Sequence, residues 1–135
     1  MKKIMDPVVH FEIPYEDNER ITKFYAEAFG WESQILGDDM DNYVLVHAAE
    51  RNERGFPKKP GRINGGFFKK SADKPMQYPS VVIAVKNIKE SLKKIEQAGG
   101  KILGEPWNIP GYGLYVSVLD TEGNRIALME PYPMN

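Results

Sequence analysis

Cysteine is absent from this 135-residue chain, and histidine occurs only twice, as His10 and His47. The first absence excludes disulfides, thiolate metal sites and a cysteine nucleophile, and it fits a reducing compartment. The second leaves little from which to build a serine triad, and no Gly-x-Ser-x-Gly elbow is present. No glycine-rich phosphate loop ending in Lys-Ser/Thr follows a strand. Neither sign of charge is in excess: 18 basic and 19 acidic residues leave a net −1. No global field therefore draws the chain to nucleic acid or to a membrane surface, and basic residues do not interleave with aromatics along one face. No apolar run approaches the roughly 20 residues that span a bilayer. The start, MKKIMDPVV, has a basic pair but no apolar stretch before Asp6-Pro7, unlike a signal peptide. The expectation is a soluble, cytoplasmic chain forming one domain over residues 1–135, large enough to bury its own core.

What is present is a pattern written twice. VVHFEIPYEDNERITKFYAEAFGW (8–31) reads as an alternating strand, a helix and a glycine stop, and VVIAVKNIKESLKKIEQAGGKI (81–102) reads the same way. In the first copy Val9, Phe11 and Ile13 alternate with His10 and Glu12, and Pro14 is expected to end the strand. Asp17 or Asn18 caps a helix whose buried face is predicted as Ile21, Phe24, Tyr25 and Ala28, with Gly30 as its left-handed stop. Strands follow at about 31–37 and 42–48, around the turn chemistry of GDDMDN. A polar loop (49–61) leads to a strand over 63–69, whose Gly65-Gly66 pair weakens a strand unless something approaches the backbone closely, such as a ligand, a bulge or a bend. In the second copy Asn87 opens a helix with Ile88, Leu92 and Ile95 inward. Strands at about 101–105, 112–119 and 125–130 follow, the last two joined by a turn at 121–124.

Each copy is a βαβββ module: module 1 over about 6–70, a linker over about 71–79, and module 2 over about 80–135. Neither module can bury both faces of its strands alone. The predicted architecture is α+β, with tandem modules forming one curved eight-stranded mixed sheet, two helices on its convex side and a concave side left open.

This pattern resembles the vicinal oxygen chelate superfamily, which includes glyoxalase I, bleomycin-resistance and fosfomycin-resistance proteins and extradiol dioxygenases. The segments that carry the resemblance are HFEIPYEDNERITKFYAEAFGW and GLYVSVLDTEGNRIALMEP, with Thr121 where the family ending usually has proline. Ile63-Asn64-Gly65-Gly66-Phe67 is similar to the glycine-rich fourth strand of a glyoxalase-like subgroup. In the family's metalloenzymes four strands supply ligands to a divalent ion, which needs converging His or carboxylate donors. The resemblance maps these positions to His10, to Asn64 or Gly66, to Val82, and to Ala127. Only His10 is a strong ligand type, so the expectation is a chain without metal or other cofactor, a divalent metal being disfavoured. A misaligned set of His10, His47 and Glu130 is the metal-dependent alternative, which would make the chain a lyase or dioxygenase.

Within that frame His10 and Glu12, two residues apart on one strand face, are the candidate catalytic pair, as base and acid. Asn64, Phe67, Trp107, Tyr112 and Tyr115 are the candidate ligand-binding residues, aromatic surfaces with polar tips being common in small-molecule pockets. For each there is a plainer reading: His10 as a pocket-wall histidine, Glu12 as a partner for Arg62 or Arg125, Asn64 as a hydrogen-bond partner of the next strand, and the aromatics as core or interface filling. His47 is expected at a strand end or surface. The predicted function is binding of a small organic molecule, with isomerase or lyase chemistry beside a carbonyl. The rival is a binding protein that sequesters its ligand without turnover. The resemblance also implies a homodimer.

Overall fold

In the computed structural model, which describes residues 5–133, the duplicated pattern becomes two compact units: His10–Pro79, and residues 5–9 together with 80–133. The basic pair Lys2-Lys3 lies outside the described residues.

The first unit carries β1 (Val8–Tyr15, from His10 onward), α1 (Asn18–Phe29), β2 (Glu32–Ile35), β3 (Val44–His47) and β4 (Asn64–Lys69). The strands lie in the order β2-β3-β4-β1, with β4 parallel to β1 and the other pairs antiparallel. Contrary to expectation, Pro14 does not end β1. The Lys70 amide donates to the Tyr15 carbonyl (2.8 Å), so Tyr15 turns its polar groups towards β4. Its neighbour Pro14 turns away, and the missing N–H is not needed in that ladder.

The Asp17 carboxylate caps α1 by accepting from the Arg20 amide (3.0 Å), and Gly30 closes it in the left-handed conformation (φ 75°). The inward face of α1 is narrower than the four residues expected. Ile21 and Tyr25 pack on the core, whereas Phe24 is 56% exposed and Ala28 is also exposed. Trp31, just past the cap, stacks on Tyr25 (centroids 4.7 Å) and takes the space that a broader helical face would fill. The core proper is Tyr15, Val44, Val46 and Phe67, with Phe11 and Ile13 against it. Each fully buried aliphatic or aromatic side chain there contributes about 1.5–3 kcal/mol.

The second unit carries β5 (Ser80–Ala84), α2 (Ile88–Gln97), β6 (Lys101–Ile109), β7 (Gly113–Leu119) and β8 (Arg125–Pro131). Their order, β5-β8-β7-β6, repeats that of the first unit: the strand before the helix pairs in parallel with the last strand, and a meander fills the rest. Residues 5–9 join this unit, the Ala84 amide donating to the Pro7 carbonyl (3.0 Å). Asn87 caps α2 through the Glu90 amide (3.2 Å), and Ile88 and Leu92 are buried as the periodicity predicts. Strand β6 runs to Ile109 instead of ending near 105. Its pairing with β7 shifts register between Leu103 and Trp107, and Pro106 falls in that interval, where no ladder donor is required. Eight strands in mixed pairing and two helices give the expected α+β class. Among the described residues no helix is long and apolar enough to cross a membrane.

Candidate functional site

Alternation along β1 sends Phe11, Ile13 and Tyr15 into the core under α1 and turns His10, Glu12 and Pro14 to the opposite face. Register then decides their neighbours. His10 pairs with Asn64, Glu12 with Gly66 and Pro14 with Phe68, so these six share that face. On β3 the buried Val44 and Val46 point to the core, which leaves Tyr43, Leu45 and His47 on the face of His10.

Tyr43 was missed in the sequence reading. Its hydroxyl lies between the two candidate catalytic residues, 3.2 Å from His10 Nε2 and donating to Glu12 Oε2 at 3.1 Å. Two features aim it there. The turn before it holds Asp41 and Asn42 at positive φ (51° and 54°), a conformation these residue types tolerate, and the Tyr15 hydroxyl clamps the Asn42 carbonyl at 2.7 Å. Gly66 then leaves room: a Cβ there would collide with the Tyr43 hydroxyl and ring. Gly65 is likewise covered, by the Phe11 ring on the other face. The close approach implied by the glycine pair is therefore made by the chain's own aromatic rings. The signal that could have revealed Tyr43 was this glycine together with the parity of Tyr43 and Leu45.

Glu12 is 4% exposed and His10 half-buried. Burial pushes the His10 imidazole below its ordinary value, and the negative charge of Glu12 opposes this with a smaller pull upward. The outcome is an imidazole kept neutral near pH 7 beside a buried carboxylate. Such a pair can exchange a proton with a bound molecule, or hold its polar group.

The other candidates divide. Asn64 lies on the site face, but its Oδ1 accepts from the Ala48 and Ala49 amides (both 2.9 Å), so its carbonyl anchors the end of β3. The expectation of a ligand-facing Phe67 is corrected. Phe67 is wholly buried in the core, 5.3 Å from the Tyr25 ring, because alternation turns Phe68 and not Phe67 to the face of His10. His47 pairs with Glu32 across β2–β3, and its Nδ1 is buried without a hydrogen-bond partner. Burial and then Arg51 push its pKa down, with Glu32 opposing. The 49–61 loop closes on itself through an Arg51–Pro57 bridge.

In the second unit Val116, Val118 and Leu128 pack under α2, so Tyr115, Ser117 and Ala127 face the other way. Trp107 pairs with Tyr115 across β6–β7, rings edge to face at 6.0 Å, with Trp107 50% exposed. The buried Arg125 donates from Nη1 to Tyr115 Oη (3.5 Å) and Ser117 Oγ (3.4 Å). Tyr112 stands apart, exposed in the β6–β7 turn.

The metal-ligand positions of the resemblance were Asn64 or Gly66 beside His10, with Val82 and Ala127 paired on β5–β8. Val82 and Ala127 are buried and apolar, and the Asn64 carbonyl is already occupied. Glu130, the carboxylate of the alternative set, accepts from the Ile88 amide (2.9 Å) and so caps α2 on the helix side of its sheet. Of the positions that the resemblance assigns to metal ligands, only His10 carries a side chain of strong ligand type. Among the described residues no three His, Cys, Asp or Glu side chains group closely enough to hold an ion.

A family model described as Glyoxalase/Bleomycin resistance protein/Dioxygenase superfamily matches residues 8–128, nearly the whole chain. The chain belongs to this superfamily. It is 28% identical over 127 residues to a protein of Arabidopsis thaliana named probable lactoylglutathione lyase, chloroplastic, matching 93% of this chain and 36% of that longer protein. The superfamily member thus spans about a third of that relative's length. A glyoxylase-like domain-containing protein of Didymella fabae is 27% identical over 118 residues, covering 87% of this chain and 88% of its own. Among solved structures, methylmalonyl-CoA epimerase from Mycobacterium tuberculosis superposes with a TM-score of 0.64 at 16% identity, covering 93% of this chain and 88% of the other. At that identity the likeness is one of fold.

Proposed function

We propose that this superfamily member binds a small organic molecule against the face that carries His10, Glu12 and Tyr43, and moves a proton on it without a metal. The chemistry is that of an isomerase or lyase acting beside a carbonyl, with His10 as proton acceptor. The observation that carries the reading is a half-buried imidazole joined to a buried carboxyl group through one tyrosine hydroxyl. One sequence relative supports it as far as its name goes, a probable lyase, and the fold is shared with an epimerase. Lactoylglutathione and methylmalonyl-CoA, named in those two proteins, are thioesters and serve as first probes. The purified protein is incubated with each in deuterated water. Expected is deuterium in the recovered probe or conversion of it, lost in His10→Ala. Full affinity and turnover in both His10→Ala and Glu12→Ala would refute the assignment.

A second reading, capture without turnover, is favoured by the exposed Trp107 against Tyr115, a stacking surface that needs no acid or base. Stoichiometric binding with unchanged, undeuterated ligand recovered decides for it. Metal analysis with activity measured before and after chelation tests the metal-free part. The family resemblance also supports a homodimer, which a sedimentation mass near that of one chain would contradict.

A further inference from the structure

We infer that Tyr43 is a positioning residue: it fixes the proton of His10 on Nε2 and leaves Nδ1 as the basic nitrogen. The inference deepens the proposed function, resting on His10 as its proton acceptor. It follows from counting protons along the three groups. A tyrosine hydroxyl has one proton to give, and a carboxylate can only accept. With the Tyr43 hydroxyl donating to Glu12 Oε2 (3.1 Å), the 3.2 Å contact between Tyr43 Oη and His10 Nε2 is a hydrogen bond only if Nε2 carries the proton. The chain then runs in one direction, from imidazole to hydroxyl to carboxylate. The opposite direction would need a proton on Glu12 and would place the imidazole proton on Nδ1.

The surroundings hold this arrangement. Gly66 gives the ring its berth, the Tyr15–Asn42 hydrogen bond fixes the turn that launches Tyr43, and Glu12 is buried on the paired strand. Tyr43 thereby acts through His10, and a proton arriving from a bound molecule is taken at Nδ1. The selection is independent of which molecule binds.

The test reads the tautomer directly in the ligand-free 135-residue chain. Histidine is labelled with ¹⁵N, and long-range ¹H–¹⁵N correlation spectra are recorded above neutral pH. With only two histidines in the chain, a His47→Gln variant assigns the His10 signals. Expected in the wild type is a protonated Nε2 with a slowly exchanging proton, and an unprotonated Nδ1. In Tyr43→Phe, which keeps the ring over Gly66, the Nε2 proton loses its protection and its signal broadens or vanishes. In Glu12→Met the hydroxyl proton is released to turn towards Nε2, and the Nδ1-protonated fraction rises. A wild-type His10 protonated on Nδ1, or an Nε2–H signal unchanged in Tyr43→Phe, overturns the inference. If Glu12→Met fails to fold, Tyr43→Phe alone decides. Because no ligand is present, failure here leaves the binding proposal standing, and loss of the binding proposal leaves the tautomer measurement valid.

Discussion

Replacing Gly66 by alanine perturbs one contact and little else. The backbone there lies outside the left-handed region, so alanine brings no conformational strain, but its methyl group would occupy the space of the Tyr43 hydroxyl and ring. If the ring swings aside, it gives up a hydrogen bond to His10, worth about 1 kcal/mol, and one to a buried carboxylate, worth about 1.5–3 kcal/mol. Removing a strand glycine returns about 0.5–1 kcal/mol of backbone entropy. The net loss expected is about 1.5–3.5 kcal/mol, in the range for overpacking a close-fitted interior. Urea unfolding should show a lower midpoint with an unchanged slope. Tyr43→Leu, which removes the hydroxyl and part of the ring, should make the second substitution cheaper, so the pair is less than additive. A Gly66→Ala protein within about 0.5 kcal/mol of the wild type would refute the packing argument, as would strict additivity with Tyr43→Leu.

Other consequences can be checked separately. Phe67→Ala should cost about 3–5 kcal/mol by denaturant unfolding, because its side chain is wholly buried. Trp107→Ala, at a half-exposed position, should cost under about 1.5 kcal/mol by the same measurement, its main effect falling on ligand affinity. Burial lowers the pKa of both His10 and His47, so below about pH 6.5 the unfolded chain binds more protons than the folded one. Stability should therefore fall as pH drops from about 6.5 through the lowered folded values; a stability–pH curve that stays flat there, or a His10→Gln variant with the same acid loss, would contradict the burial argument. Glu130→Gln keeps an acceptor for the Ile88 amide but removes the charge at the start of α2, and should cost about 0.3–1 kcal/mol with no change in metal content.

The parts that were legible in the sequence depend on near neighbours along the chain. The helix caps at Asp17, Asn87 and Gly30, the turn over 37–42 and the inward face of α2 are set by φ preferences and by side chains three or four residues apart. The parity of His10 and Glu12 was legible for the same reason. Pro14 misled because the cost of a missing N–H depends on which side of the strand a partner lies. Trp107 became a strand residue because the β6–β7 pairing tolerates a register shift around Pro106.

By itself the sequence determined two βαβββ modules and the face shared by His10 and Glu12. These follow from local periodicity and residue chemistry. Tertiary structure alone decided which of Phe67 and Phe68 packs against α1, that the Asn64 carbonyl holds the end of β3, and that Tyr43 joins His10 to Glu12. Alternation says which residues share a face, but not which face receives a helix or which ring lies over which glycine. Those outcomes depend on the register between strands far apart in the chain, here Leu45 against Gly66 and Glu12 against Gly66.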